Sequence, residues 1–286
     1  MIAEFKHTLR RLHGQIIGWS VGVALYGLWM VLLYPSVSKL GEDLDVLLNA
    51  FPKEMLAFFQ NIRAIGTPMG YIDVYFFTYM HLVIGIFAIS AGAGLLAADE
   101  EKGILDLVLA HPVSRTGLFL GRLLGLICGL AIILLAGWLS WVLPAGSVGL
   151  GLGWLQLLLP FIPLFAVLLL FAAAALFLSM VTPAARVAGM LTGAILVGNF
   201  LMLGLSNINE KLEPIMRFTP LHYYQGGAAV EGLNGEWLAG LLAASLLFAA
   251  GAWRFFLRRD IRVAGERGWR VPGVRLPSRS GRRKRD

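Results

Sequence analysis

Apolar residues in this chain arrive in long, nearly uncharged runs, and that limits the fold more than any other feature. Six such segments lie at about 15–34, 74–97, 118–143, 154–181, 185–206 and 237–257. At about 1.5 Å rise per residue, each is long enough to cross some 30 Å of hydrocarbon as a helix. The runs are continuously apolar rather than alternating, which disfavours barrel strands. Inside lipid the backbone must satisfy its own hydrogen bonds, so the segments read as helices. Charged residues make up 14% of the chain, against about 25% in a soluble domain. The expected class is an all-α polytopic membrane protein with six transmembrane helices. One membrane domain spans 1–257, and a basic tail, expected to be disordered, spans 258–286.

The basic residues set an expected orientation. With the N-terminus inside, the inner segments hold Lys6, Arg10, Arg11, Lys102, Arg115, Arg122, Arg186 and the twelve basic residues from Arg254 onward, 19 of the 24. The outer segments hold Lys39, Lys53, Arg63, Lys211 and Arg217. Positive charge concentrates on the cytoplasmic side, so both termini are expected there, in the cell inner (plasma) membrane. The first apolar run is longer than a secretory core and lacks a clear small-residue cleavage site, so it reads as a retained span. Residues 1–13 place Ile2, Phe5, Leu9 and Leu12 on one helical face, as in a short amphipathic helix on the inner surface. The outer loop 36–73 shows helical spacing at Val37, Leu40, Leu44, Leu47 and Leu48. A second outer loop, 207–236, is interrupted by Pro214 and Pro220.

Sites for chemistry are sparse. No G-x-x-x-x-G-K-[ST] run occurs to cradle ATP, and neither H-E-x-x-H nor G-x-S-x-G is present. His7, His13, His81, His111 and His222 are scattered without metal-ligand spacing, and the one cysteine, Cys128, excludes a multi-cysteine cage. No catalytic, cofactor or metal site is expected. The tail has no nucleic-acid motif; attraction to anionic lipid headgroups suits it better, and a plain solvated tail better still.

The inner loop 98–117 is the most informative stretch. Asp99 is placed to cap a short helix, with Glu100 and Glu101 in its first turn. Lys102 and Asp106 stand at i, i+4. Ile104, Leu105, Val108 and Leu109 form an apolar stripe. Pro112 disfavours helix at His111, and Ser114 is placed to cap the helix that runs into span 3. The expectation is a short amphipathic helix on the cytoplasmic face. Its stripe faces lipid, the rest of the chain or a partner, and periodicity does not choose among them.

The run Glu101-Lys102-Gly103-Ile104-Leu105-Asp106 followed by His111-Pro112-Val113-Ser114-Arg115 resembles the signature of type-2 ABC transporter permeases. Phe51-Pro52-Lys53-Glu54-Met55-Leu56 with Thr67-Pro68-Met69-Gly70-Tyr71, and Phe218-Thr219-Pro220-Leu221-His222-Tyr223-Tyr224, are similar to two further family stretches in the same order. Ile104 and His111 depart from the residues common there. The resemblance implies the membrane-spanning subunit of an ABC transporter, usually an exporter, driven by a separate ATPase subunit. A second permease copy, identical or related, would complete the pathway. The short helix would be the coupling element, with Glu101, Ile104, Leu105, Asp106, Val108 and Leu109 facing the ATPase.

Polar residues within the spans are few. His81 and Asn199 are the candidate pathway residues, each with interhelical contact as the other reading. Arg122, near the inner end of span 3, is expected to snorkel to the interface. Gly121-x-x-x-Gly125-x-x-x-Gly129 marks a close helix contact. Two rival functions are an intramembrane enzyme, which would need more clustered polar groups at bilayer depth, and a membrane immunity or scaffold protein, which would act without an ATPase. The substrate is not encoded legibly: a peptide, a drug, a lipid or an ion all suit so apolar a chain.

Overall fold

The computed structural model describes residues 1–39, 52, 56–58, 62–105, 108, 110 and 113–258. Six long helices carry it: α1 (Ile2–Ser38), α2 (Thr78–Glu101), α3 (Arg115–Ala145), α4 (Phe161–Val181), α5 (Ala185–Ile208) and α6 (Gly235–Arg258). All are long and apolar enough to cross a membrane, and no strand occurs among the described residues. Large apolar side chains stand exposed on the outward faces of α1 (Leu25, Trp29, Leu32), α5 (Met190, Ile195, Leu201) and α6 (Leu246, Leu247). A soluble protein does not leave such surface uncovered, whereas lipid accepts it.

The N-terminal amphipathic segment and the first span form one continuous helix. Nothing between residues 2 and 34 breaks it, and Pro35 comes only in its last turn. At about 1.5 Å per residue, 37 residues exceed the hydrocarbon thickness, so one end of α1 extends beyond the core. The tail beyond Arg258, the stretch Leu40–Phe51 and positions 106, 107, 109, 111 and 112 lie outside the described residues. The expected helical spacing from Leu40 to Leu48, most of the Phe51–Leu56 match and the proposed coupling residues Asp106 and Leu109 therefore lie there too.

The glycine repeat on α3 seats α1. A side chain at Gly121 would collide with Glu4 Cβ at 2.8 Å, one at Gly125 with Thr8 Cβ at 2.8 Å, and one at Gly137 with Val23 at 2.9 Å. Gly129 faces Ile16. The pairs advance together along both chains, so α1 and α3 run parallel with their backbones close, as small residues permit in lipid. On the other flank Gly92 of α2 meets the Ala172 backbone of α4, and Phe177 of α4 packs against Phe248 and Phe255 of α6. α2 and α5 run antiparallel, with Gly85 against Leu196 and Ala93 beside Gly189.

One end of the bundle holds Met1, Glu101, Arg115, Ala185 and Leu257. This is the basic end. The opposite end is knotted by aromatic rings: Tyr34 on Tyr71 at 5.2 Å, Phe76 on Trp141 at 5.6 Å and Phe77 on Phe161 at 5.1 Å between centroids. Edge-to-face pairs of this kind add about 0.5–1.5 kcal/mol each beyond burial. A short helix, Pro68–Ile72, capped by Thr67 Oγ1 accepting from Gly70 N at 3.1 Å, leads through a π-helical stretch, Asp73–Phe77, into α2. The π-helical stretch turns the Asp73 carboxylate onto the segment between α5 and α6. There Gly227 N donates to Asp73 Oδ1 at 2.6 Å, and Tyr224 Oη donates to the Phe77 carbonyl at 3.0 Å. Gly227 has no room for a Cβ, because Asp73 Cα lies 2.7 Å from where it would sit. Burial first, and the nearby Asp73 carboxyl second, raise the Tyr224 hydroxyl well above its ordinary range.

Candidate functional site

The informative stretch after span 2 folds differently from the expected start of a new helix. Asp99 is not an N-cap: α2 continues through it to Glu101. The helix then ends at Gly103, whose φ of 66° is a left-handed conformation that glycine adopts without steric penalty. Gly103 N donates to Glu100 O at 3.0 Å and Ile104 N to Asp99 O at 2.8 Å. These two bonds are the Schellman pattern, which satisfies carbonyls left open at a helix end. The glycine of the signature therefore has a local cause. The next helical turn is visible in Val108 N donating to Ile104 O at 3.1 Å. Ser114 caps α3 as expected, its Oγ accepting from Gly117 N at 3.1 Å.

The apolar stripe divides between two environments. Leu105 is 1% exposed and Val108 packs against the chain's own core, whereas Ile104 is 43% exposed beside exposed Lys102. Leu105 thus roots the turn, and among its described residues Ile104 is a large apolar side chain presented outward. Glu101 Oε1 accepts from Ala185 N at 2.6 Å. Ala184 gives α5 no side-chain cap, so Glu101 supplies one from another helix, with a charge that suits a helix N-terminus.

Behind the turn lies a buried charge cluster. Arg122 does not snorkel: its side chain is 1% exposed. Its Nη1 lies 2.6 Å from Asp99 Oδ2 and donates to Leu95 O at 2.9 Å, while Nε lies 3.3 Å from Glu4 Oε2. Arg11 Nη1 reaches both Asp99 oxygens at 2.9 Å, and its Nη2 donates to Gly94 O at 2.8 Å. Two cations meet two carboxylates, so the cluster is neutral as a whole. A guanidinium fork suits this site, because Arg122 serves three acceptors on two helices at once. A buried pair of this kind adds little net stability, but removing one partner costs about 3–5 kcal/mol, since the other is left buried and alone. The sequence does carry a signal: one arginine within an apolar span calls for a partner, and Asp99 is the first of the three carboxylates that close the preceding helix.

Arg115, at the start of α3, adds contacts of 3.5 and 3.3 Å to the carbonyls of Phe256 and Leu257. Cations there complement the last turn of α6. The basic end thus ties α1, α2, α3, α5 and α6 around one exposed turn. The geometry offers mechanical linkage, with no group of three metal-ligating side chains among the described residues.

A comparison with known protein families matches residues 21–260 to the ABC-2 family transporter protein. The chain belongs to this family. Six apolar helices and that membership make it a multi-pass membrane protein and a permease component of an ABC transporter. No curated protein matches the chain.

The two candidate pathway residues of this ABC-2 chain lie in the half away from the basic end. His81, in the first turn of α2, is 1% exposed, with its ring 5.7 Å from Phe200 and 5.2 Å from Tyr224. Among the described residues, neither ring nitrogen has a well-formed hydrogen-bond partner. Asn199 is 8% exposed and spends its amide on Ile195 O of its own helix at 2.7 Å, rather than on a neighbouring helix. A separate open groove of about 620 Å³ runs between α2 and α5, lined by Leu82, Ile86, Ala93, Gly189, Gly193 and others, with Arg186 at the basic end. His81 and Asn199 do not line it.

Proposed function

We propose that this chain is the membrane subunit of an ABC exporter whose ATP hydrolysis occurs in a separate ATPase, and that the ATPase docks on the turn after α2. The observation that carries the reading is the divided stripe. At the basic end of an ABC-2 chain, Leu105 anchors the turn inward while Ile104, Lys102 and Glu101 face outward. An apolar residue held out on a rooted turn suits insertion into a protein groove. Of the coupling residues proposed from sequence, Ile104 and Glu101 form the outward face and Leu105 and Val108 hold it in place; Asp106 and Leu109 stay in the proposal on the sequence alone.

The orientation completes the proposal. Lys6, Arg11, Lys102, Arg115 and Arg186 gather where α1 begins and α6 ends, so that end faces the cytoplasm by the positive-inside rule. The chain is an inner-membrane protein over 1–257 with a basic cytoplasmic tail from 258, attracted to anionic lipid. A second permease copy completes the pathway. As packed, His81 would reach a substrate only after α5 or the segment around Tyr224 moves away, so a pathway role belongs to another state of the cycle.

The test is ATP hydrolysis by the chain purified with and without its co-expressed ATPase. Hydrolysis is expected only in the complex, and a rigorously purified single chain that hydrolyses ATP would contradict the assignment.

A further inference from the structure

One residue joins the turn to the bundle through both its backbone and its side chain. The carbonyl of Asp99 accepts from Ile104 N and fixes the turn, while its carboxylate is held by Arg122 of α3 and Arg11 of α1. Arg122 is also bonded to Glu4 of α1 and to Leu95 of α2. The glycine seam then carries α1 and α3 side by side toward the aromatic end. There Tyr26 Oη donates to Tyr75 O at 2.5 Å, and Tyr71 Oη donates to Met30 O at 2.6 Å. The turn also reaches α5 among the described residues, through Glu101 to Ala185, a bond between exposed groups.

We propose that Asp99 is a positioning residue: gripped by Arg122 and Arg11, it makes the outward turn move as one body with α1 and α3. The proposal rests on the reading that an ATPase docks on that turn. A charged clamp suits this task because it is directional and holds both Asp99 carboxylate oxygens. An apolar contact in its place would let the end of α2 slide against α1 at little cost, whereas sliding here separates desolvated charges. Motion imposed on Ile104 therefore reaches the aromatic end through α1 and α3 and is not absorbed at the turn.

The experiment uses the full chain in complex with its ATPase, reconstituted in lipid. Nitroxide labels are placed at Leu33→Cys on α1 and Leu205→Cys on α5, with Cys128→Ser as background. The distance between them is measured without nucleotide and after trapping with Mg-ATP and vanadate. The parent complex is expected to change distance. Asp99→Asn keeps the shape and removes the charge. It is expected to retain the ATPase and hydrolyse ATP within about twofold of the parent, while the distance change falls by more than about half. A purely structural clamp would lower the melting temperature and leave the distance change intact, which overturns the proposal, as does loss of ATPase binding by Asp99→Asn. If Asp99→Asn does not accumulate, Arg11→Gln reports instead, since Arg11 is 31% exposed. A reduced distance change is again expected, and an unchanged one overturns the proposal. Failure of the parent chain to bind any ATPase is a different result, and it removes the functional reading and this inference together.

Discussion

Arg122 Nη1 lies 2.6 Å from Asp99 Oδ2, and 1% of the arginine side chain is exposed. The two residues belong to different helices, and their pairing decides how the basic end responds to substitution. Arg122→Ala should cost about 3–5 kcal/mol, because Asp99 and Glu4 lose a buried partner. Adding Asp99→Ala should restore part of that loss, with a coupling of about 0.5–3 kcal/mol between the two sites. Thermal unfolding of the detergent-purified variants measures both. Strict additivity would show that the pair is not energetically linked.

The glycine seam makes a contrast available within one protein. Gly125→Leu must displace Thr8 of α1 and should destabilise by at least about 1–3 kcal/mol through overpacking. Gly18→Ala, on the open side of α1 with nothing within 4 Å, should be neutral or stabilising by up to about 1 kcal/mol, since alanine is the better helix former. Membrane yield and melting temperature of the two variants check this ordering.

How much of this was legible in the sequence depended on whether the signal was local. The six spans were readable because lipid imposes a long, uncharged, continuous run, and the termini of α5 fall close to the apolar boundaries. Gly121, Gly125 and Gly129 were readable because their spacing places them on one helical face. Asp99 was misread because a capping residue and a carboxylate awaiting a distant arginine look the same in sequence. Gly103 was decisive, but its left-handed conformation is set by where α2 stops, and α2 stops one turn later than the acidic run suggested. Arg122 was misread because snorkelling needs no partner, and the partner that captures it, Asp99, lies on a different helix. The divided stripe was out of reach for the same reason: periodicity groups Ile104 with Leu105, and only the packing of the turn separates them.

At the aromatic end, Asp73→Ala should release the segment around Gly227, at a cost of about 1.5–3 kcal/mol for a hydrogen bond to a charged acceptor. Asp73→Asn keeps an oxygen for Gly227 N and should cost less. Limited proteolysis between residues 220 and 232 reads the difference, with earlier cleavage expected in the alanine variant.

Tyr224 gives a pH dependence with a definite sign. Its folded pKa is raised by burial, so the stability linked to it is complete below the ordinary tyrosine value of about 10 and is lost as pH rises through the folded value. Tyr224→Phe should reduce the alkaline loss of melting temperature and, by removing the bond to Phe77, lower stability at neutral pH by about 0.5–1.5 kcal/mol.

Docking of an ATPase on the turn after α2 is open to a direct measurement by site-specific photocrosslinking. A photoreactive residue at Ile104, in cells that express the transporter complex, is expected to capture the ATPase subunit. The same probe at Phe218, 90% exposed between α5 and α6, is expected not to. Ile104→Asp should abolish co-purification of the ATPase while membrane insertion remains normal, and Lys102→Ala should leave it unchanged. If the probe at Ile104 captures only lipid, and Ile104→Asp still binds the ATPase with unchanged affinity, the turn is a surface connector and the docking assignment is wrong.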